Sequence, residues 1–451
     1  MWFRRSFLLL AAAALAAAQT APSAATPATP QRLEEQIRGY TSQDRFNGAI
    51  LVAKDGKIVL SKGYGMANFE WNVPVTPETK FRLGSITKQF TGMAVLLLSD
   101  QGKLKVDDPV CNYVQPCPDA WKPITIHHLL THTSGIPNFT AFQSYTKTMR
   151  QASPPADTLK RFLNEPLDFQ PGSKFSYSNS GYVLLGYIIE KVTGGSYADY
   201  LRRNILAPIG MNDTGYDDPA TVLPRRAAGY EHSGATLQNA EYLDMTIPHA
   251  AGSLYSTTLD LMKWDEALNA HKILSAEAYK RYFTPVLKNY AYGWTVKMED
   301  GVEQINHGGG INGFATRIVR VPSQHLLVVA LSNVLPAQPD KLAQELVKLM
   351  LGQNLPVPEK PAEIKLSKEA MEKFVGNYAL APTFVLAVTL EGDQLITQAT
   401  GQGKVPIFAK SANTFFPKVI DAEIVFDVDA EGKATGLTLI QNGRRMPAKR
   451  Q

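Results

Sequence analysis

Apolar residues at Leu33, Ile37 and Tyr40 repeat with the spacing of one helix face and predict an amphipathic helix over 31–43. Two apolar runs follow at 48–53 and 57–63. Lys54-Asp55-Gly56 between them predicts a hairpin, since Asp-Gly suits a tight turn. Residues 85–101 (SITKQFTGMAVLLLSDQ) are apolar enough to form a buried helix, which Gly102 ends. From 103 to about 285 the pattern is mainly helical and broken by loops. Strand-like runs return at 293–297, 315–321 and 326–331, and a last helix is expected over 341–351. Strands at both ends with helices between predict one sheet assembled from the two ends of a domain, with a helical region inserted. Short β-prone runs then occur at 384–390, 394–399, 404–409 and 422–428, punctuated by Gly392-Asp393, Glu431-Gly432 and Asn442-Gly443. They predict a small all-β barrel or sandwich.

Length agrees with this division, because 451 residues suit one large domain plus a small one. A Pro-rich stretch at 353–366 reads as the linker. Hydrophobic residues at 44% and charged residues at 19% fit a chain with a sizeable core. At the N-terminus Arg4 and Arg5 precede an unbroken apolar run, 7–18, that ends in Ala16-Ala17-Ala18. A basic start, a short apolar stretch and small residues predict a cleaved signal peptide over 1–18. The expected location is the periplasm or beyond. The run is shorter than the roughly 20 residues a membrane-spanning helix needs, and no later run is long enough. Residues 19–30 (QTAPSAATPATP) read as a disordered tether. Without Arg4 and Arg5 the chain has 44 basic and 41 acidic residues. That balance, with no basic run interleaved with aromatics, is no nucleic-acid footprint. Cys111 and Cys117 form either a small disulfide-closed loop or two free thiols.

Three motifs carry candidate chemistry. Ser85-Ile86-Thr87-Lys88 places a lysine one helical turn from a serine that needs a base before it can act as a nucleophile. Alone the pattern is equally a helix cap, and it recurs at Ser144-Tyr145-Thr146-Lys147 in a surface-like segment. Tyr177-Ser178-Asn179 precedes an apolar helix, so a phenol and an amide can project from a loop into a cleft. His307-Gly308-Gly309-Gly310 offers a strand whose backbone a substrate can approach and whose N–H groups can face an oxyanion. His127, His128 and His132 lack an H-E-x-x-H partner pattern, so neither a metal nor another cofactor is expected.

Taken together, S-x-x-K, Y-x-N and H-x-G occur in the order and approximate spacing of one family. The chain resembles the class C β-lactamases, serine D,D-peptidases, D-aminopeptidases and related esterases. The likeness extends to FRLGSITKQFTG, ITIHHLLTHTSGIPN, AAGSLYSTTLDLMKWDEAL and YAYGW, and covers roughly 31–352. It implies an α/β (α+β) fold of the β-lactamase/transpeptidase type, an antiparallel sheet flanked by helices plus a helical subdomain. Residues 367–451 resemble the small lipocalin-like β-domain that some of these proteins append. By the resemblance Ser85 is the nucleophile, Lys88 its proton-transfer partner, and Tyr177 the base in acylation and the acid toward the leaving group. Asn179, His307 and Gly309 contact substrate, and the N–H groups of Ser85 and Gly310 form the oxyanion hole. The implied substrate is a small molecule or peptide, including one derived from peptidoglycan. Family β-lactamases have K-T-G where His307 stands, which favours the peptidase or esterase branch. The G-x-S-x-G elbow of α/β-hydrolases is absent. The rival reading is a catalytically silent binding protein on the same fold.

Overall fold

The computed structural model describes residues 27–233, 236–360, 362–381, 384–418, 422–441 and 444–451. The signal-peptide expectation and most of the expected tether lie outside them. Helix α1 (Pro30–Thr41) starts on a cap from Thr29, whose side chain accepts the Arg32 N–H. The Ala28 N–H donates to the Leu349 carbonyl. Residues 28–30 therefore belong to the folded domain, where a tether was expected through residue 30.

The elements that build the site follow in chain order: β1 (Gly48–Lys54), β2 (Lys57–Tyr64), α2 (Thr87–Asp100), α3 (Asn179–Thr193), α4 (His249–Gly252), β3 (Thr295–Glu299), β4 (Val302–Ile311), β5 (Phe314–Val321), β6 (Leu326–Ser332) and α5 (Pro339–Met350). The sheet runs β3-β4-β5-β6-β1-β2, antiparallel throughout. Strands β1 and β6, the first and last of the sheet in chain order, pair with each other inside it. Ala49, Leu51 and Leu331 face one hydrophobic core with α2, and Ile50, Val52 and Val328 face another with α1 and α5. Burial on both faces explains why β1 and β6 are continuously apolar rather than alternating. Strand β3 pairs only with residues 302–306 of β4. The edge of 307–311 on that side is left without a strand partner, and this is the glycine-rich half.

The 103–285 region also holds short strands that the apolar pattern does not announce. Tyr230–Ser233 pairs with Thr236–Asn239, and Leu254–Ser256 joins Phe81–Arg82 and Gly215–Tyr216. Strands of two to four residues are too short to show a period of two. Cys111 and Cys117 are disulfide-bonded. The C-terminal strands, from Gly376–Ala381 to Arg444–Arg450, close into an eight-stranded barrel with its own core. Part of the expected linker is anchored on α1. Gln36 and Gln43 donate to the Pro356 and Pro358 carbonyls at 3.2 and 3.1 Å. The Ile364 N–H already bonds the barrel at the Ala409 carbonyl.

Candidate active site

Ser85 sits in a 3-10 turn, Gly84–Ile86, that leads directly into α2. The turn needs Gly84, whose φ is +55°, and a Cβ there would stand only 3.0 Å from the Gly310 nitrogen. Lys88, one turn later, is completely buried, and its Nζ lies 3.1 Å from Ser85 Oγ, 2.9 Å from Asn179 Oδ1 and 2.9 Å from the Ala251 carbonyl. Burial holds its amine well below the ordinary lysine range. The hydrogen-bond partners also accommodate the neutral form that burial favours. The Asn179 and Ala251 oxygens can only accept, so they take the two N–H bonds of a neutral amine. Its one lone pair is then left for the Ser85 hydroxyl. The site thus places a proton acceptor on the serine without a histidine.

Tyr177 arrives from the loop before α3, its ring 4.7 Å from Lys88 Nζ. Burial pushes its phenol up, and the nearby Ser85 hydroxyl opposes that shift only in part. The hydroxyl is buried without a hydrogen bond of ordinary length. It therefore holds its proton at neutral pH, which suits a proton donor. His132 sets this loop: its Nδ1 accepts the Ser178 N–H at 3.2 Å and its ring packs, tilted by 37°, 4.2 Å from that of Tyr177. Asn179 opens α3, its side chain fixed at both ends by Lys88 and by Thr140, whose Oγ1 is 3.1 Å from Nδ2.

The glycine strand β4 contributes in two ways. A Cβ on Gly309 would lie 1.9 Å from the Leu83 carbonyl and 2.4 Å from Thr316 Oγ1, so Gly309 is there to let β4 press against the turn that carries Ser85. Thr316 secures that contact by donating to the Leu83 carbonyl at 2.7 Å. Gly310, with nothing within 4 Å of a Cβ, lines the cavity beside Ser85. His307 differs from its expected place. It is buried away from the cavity, its Nδ1 bonded to the Gly308 carbonyl and its Nε2 2.9 Å from the Tyr290 hydroxyl. Burial lowers its imidazole to about 3. Both ring nitrogens are thus bonded within the protein, to Tyr290 and to β4, and the ring lies 6.4 Å from that of Tyr177. Gly309 likewise acts through the Leu83 contact and not through the cavity.

The cavity measures about 170 Å³ and includes Ser85, Asn179 and Gly310. Thr140, Tyr145 and Leu243 line it as well, and sequence reasoning missed them. Tyr145 lies inside the second S-x-x-K stretch. There Ser144 and Lys147 are exposed, as the surface reading expects, while the tyrosine between them turns to the site. His127, His128 and His132 do not converge: His127 bonds the Tyr292 hydroxyl at 2.7 Å and His128 caps its own helix.

Residues 30–351 match the Beta-lactamase family. The chain belongs to that family. Residues 360–448 match a Domain of unknown function (DUF3471), which is the barrel. Among relatives, Penicillin-binding protein 4* of Bacillus subtilis (strain 168) is 30% identical over 453 residues, 93% of this chain and 98% of that protein. Among solved structures, the octameric penicillin-binding protein homologue from Pyrococcus abyssi is 29% identical. Its TM-score is 0.66, over 93% of this chain and 99% of that one. The D-amino acid amidase from Ochrobactrum anthropi SV3, complexed with L-phenylalanine, is 25% identical with a TM-score of 0.61, over 70% and 98%. This beta-lactamase family member is a serine hydrolase of the β-lactamase/D,D-peptidase type.

Proposed function

We propose that the chain is an exported hydrolase that cleaves amides or esters through an acyl-enzyme on Ser85. The observation that carries the mechanism is the Lys88 amine, its neutral form favoured by burial, 3.1 Å from Ser85 Oγ. Lys88 takes the serine proton as Oγ attacks the carbonyl carbon, and the oxyanion settles against the N–H groups of Ser85 and Gly310. Tyr177, protonated, delivers a proton to the leaving group. Lys88 rather than Tyr177 is thus the base in acylation, a change from the roles the resemblance implies. Asn179 orients Lys88, and His307 bonds the Tyr290 hydroxyl. Export is supported by the sequence of residues 1–18 and by the disulfide, which an oxidising compartment preserves. D-amino-acid peptides, peptidoglycan-derived ones among them, short esters and β-lactams all present a carbonyl to this machinery.

The test uses purified protein beside Ser85→Ala, with p-nitrophenyl acetate and a fluorescent penicillin. Ester turnover or stable label that disappears in the variant supports the reading. Activity that survives Ser85→Ala would refute it.

A further inference from the structure

Among the described residues, the cavity that holds Ser85 is lined without a single charged side chain. Ser85, Thr140, Tyr145, Asn179, Leu243 and Ile311 make its walls, with glycines, Pro248, Ala251 and Asn312 completing them. Cations on neighbouring elements have acidic partners. Arg82 and Arg226 both bind Asp217 at 2.6 and 2.7 Å, Arg150 binds Glu241, and Arg317 lies 3.3 Å from Asp340. Lys147 is exposed and does not line the cavity. His307, which the resemblance puts in contact with substrate, bonds the Tyr290 hydroxyl instead of lining the cavity. A carboxylate that enters such a space loses its water, and the nearest amine, Lys88, is buried behind Ser85 and already bonded to Asn179 and the Ala251 carbonyl, so that penalty selects against it.

From this geometry, and resting on the acyl-enzyme reading above, we propose that the acyl donor is uncharged around its scissile bond. The substrate class is neutral esters and blocked amides, without the free carboxylate that a C-terminal D-amino acid or a penicillin carries. In the step itself the Ser85 Oγ–carbon bond forms and the carbon–heteroatom bond of the leaving group breaks. The serine proton passes to Lys88, Tyr177 protonates the leaving group and is reprotonated from Lys88. Water then cleaves the acyl ester and releases the acid.

Two thioesters that differ in one charge test this: N-benzoylglycyl thioglycolate and its methyl ester, followed by thiol release. Each kcat/KM is divided by the rate of the same thioester with hydroxide, which removes the difference in leaving-group reactivity. The expected result is a preference of at least tenfold for the methyl ester, and equal or better cleavage of the carboxylate would overturn the proposal. Asn312→Lys, which adds a cation to the wall, is expected to narrow the preference severalfold. An unchanged ratio would show that charge is not what discriminates, and would also overturn it. Cleavage of neither thioester, together with no turnover of p-nitrophenyl acetate, would overturn the acyl-enzyme reading and this proposal with it.

Discussion

Tyr177→Phe removes a hydroxyl that is buried without an ordinary hydrogen bond, so folding loses little by it. Urea unfolding is expected to agree with the parent within about 0.5 kcal/mol. Turnover, by contrast, is expected to fall by roughly 10² to 10⁴, the range for loss of a positioned acid. A large loss of stability with a small loss of turnover would make the phenol structural. Ser85, Lys88, Tyr177 and Asn179 were legible in the sequence because each lies in a short motif with fixed spacing. The acceptor at the Ala251 carbonyl was not, because it belongs to the backbone of α4 and leaves no residue-type signature. His307 was legible as a residue but not as a role. Its burial depends on Tyr290 and on the register of β4, which no local pattern carries.

At the scale of elements, Gly309 and Gly310 are neighbours on one strand with opposite constraints. Gly309→Ala drives a methyl group into the Leu83 carbonyl and must lift β4 from the Ser85 turn. An expected cost of about 1–3 kcal/mol in urea unfolding accompanies a marked fall in kcat. Gly310→Ala meets open space and is expected to fold as the parent does. Equal stabilities for the two variants would contradict the packing account. All the sheet's strands but β4 were readable from apolar runs, as were α1, α2 and α5, since long buried or periodic segments state their own burial, whereas β4 was signalled only by its glycine motif. The all-β character of the last domain was readable too. The local pattern left barrel and sandwich open, because closure depends on pairing of the first strand with the last at Tyr378 and Arg450, and the lipocalin-like resemblance implied the barrel.

The whole molecule keeps several imidazoles neutral in its interior, and acid should reveal them. Burial lowers His132 well below its ordinary value, and His249 and His307 to about 3. Unfolded, each titrates near 6.5. Below pH 6.5 the unfolded chain binds protons that the folded chain refuses, so stability falls as pH drops toward 3. Above 6.5 these residues contribute a constant amount. Lys88, also lowered, adds a gentler slope of the same sign that begins near its unfolded value of about 10.4. Urea midpoints between pH 8 and pH 5 are therefore expected to steepen below 6.5, by up to about 1.4 kcal/mol per pH unit for each imidazole. A constant slope across 6.5 would contradict the neutral interior. The central claim, a covalent intermediate on Ser85, is tested most directly by intact mass after a rapid acid quench with p-nitrophenyl acetate. The account predicts one added acetyl group, mapped to the peptide that contains Ser85 and absent from Ser85→Ala. Turnover with no adduct on that peptide, or an adduct that persists in the variant, would contradict it.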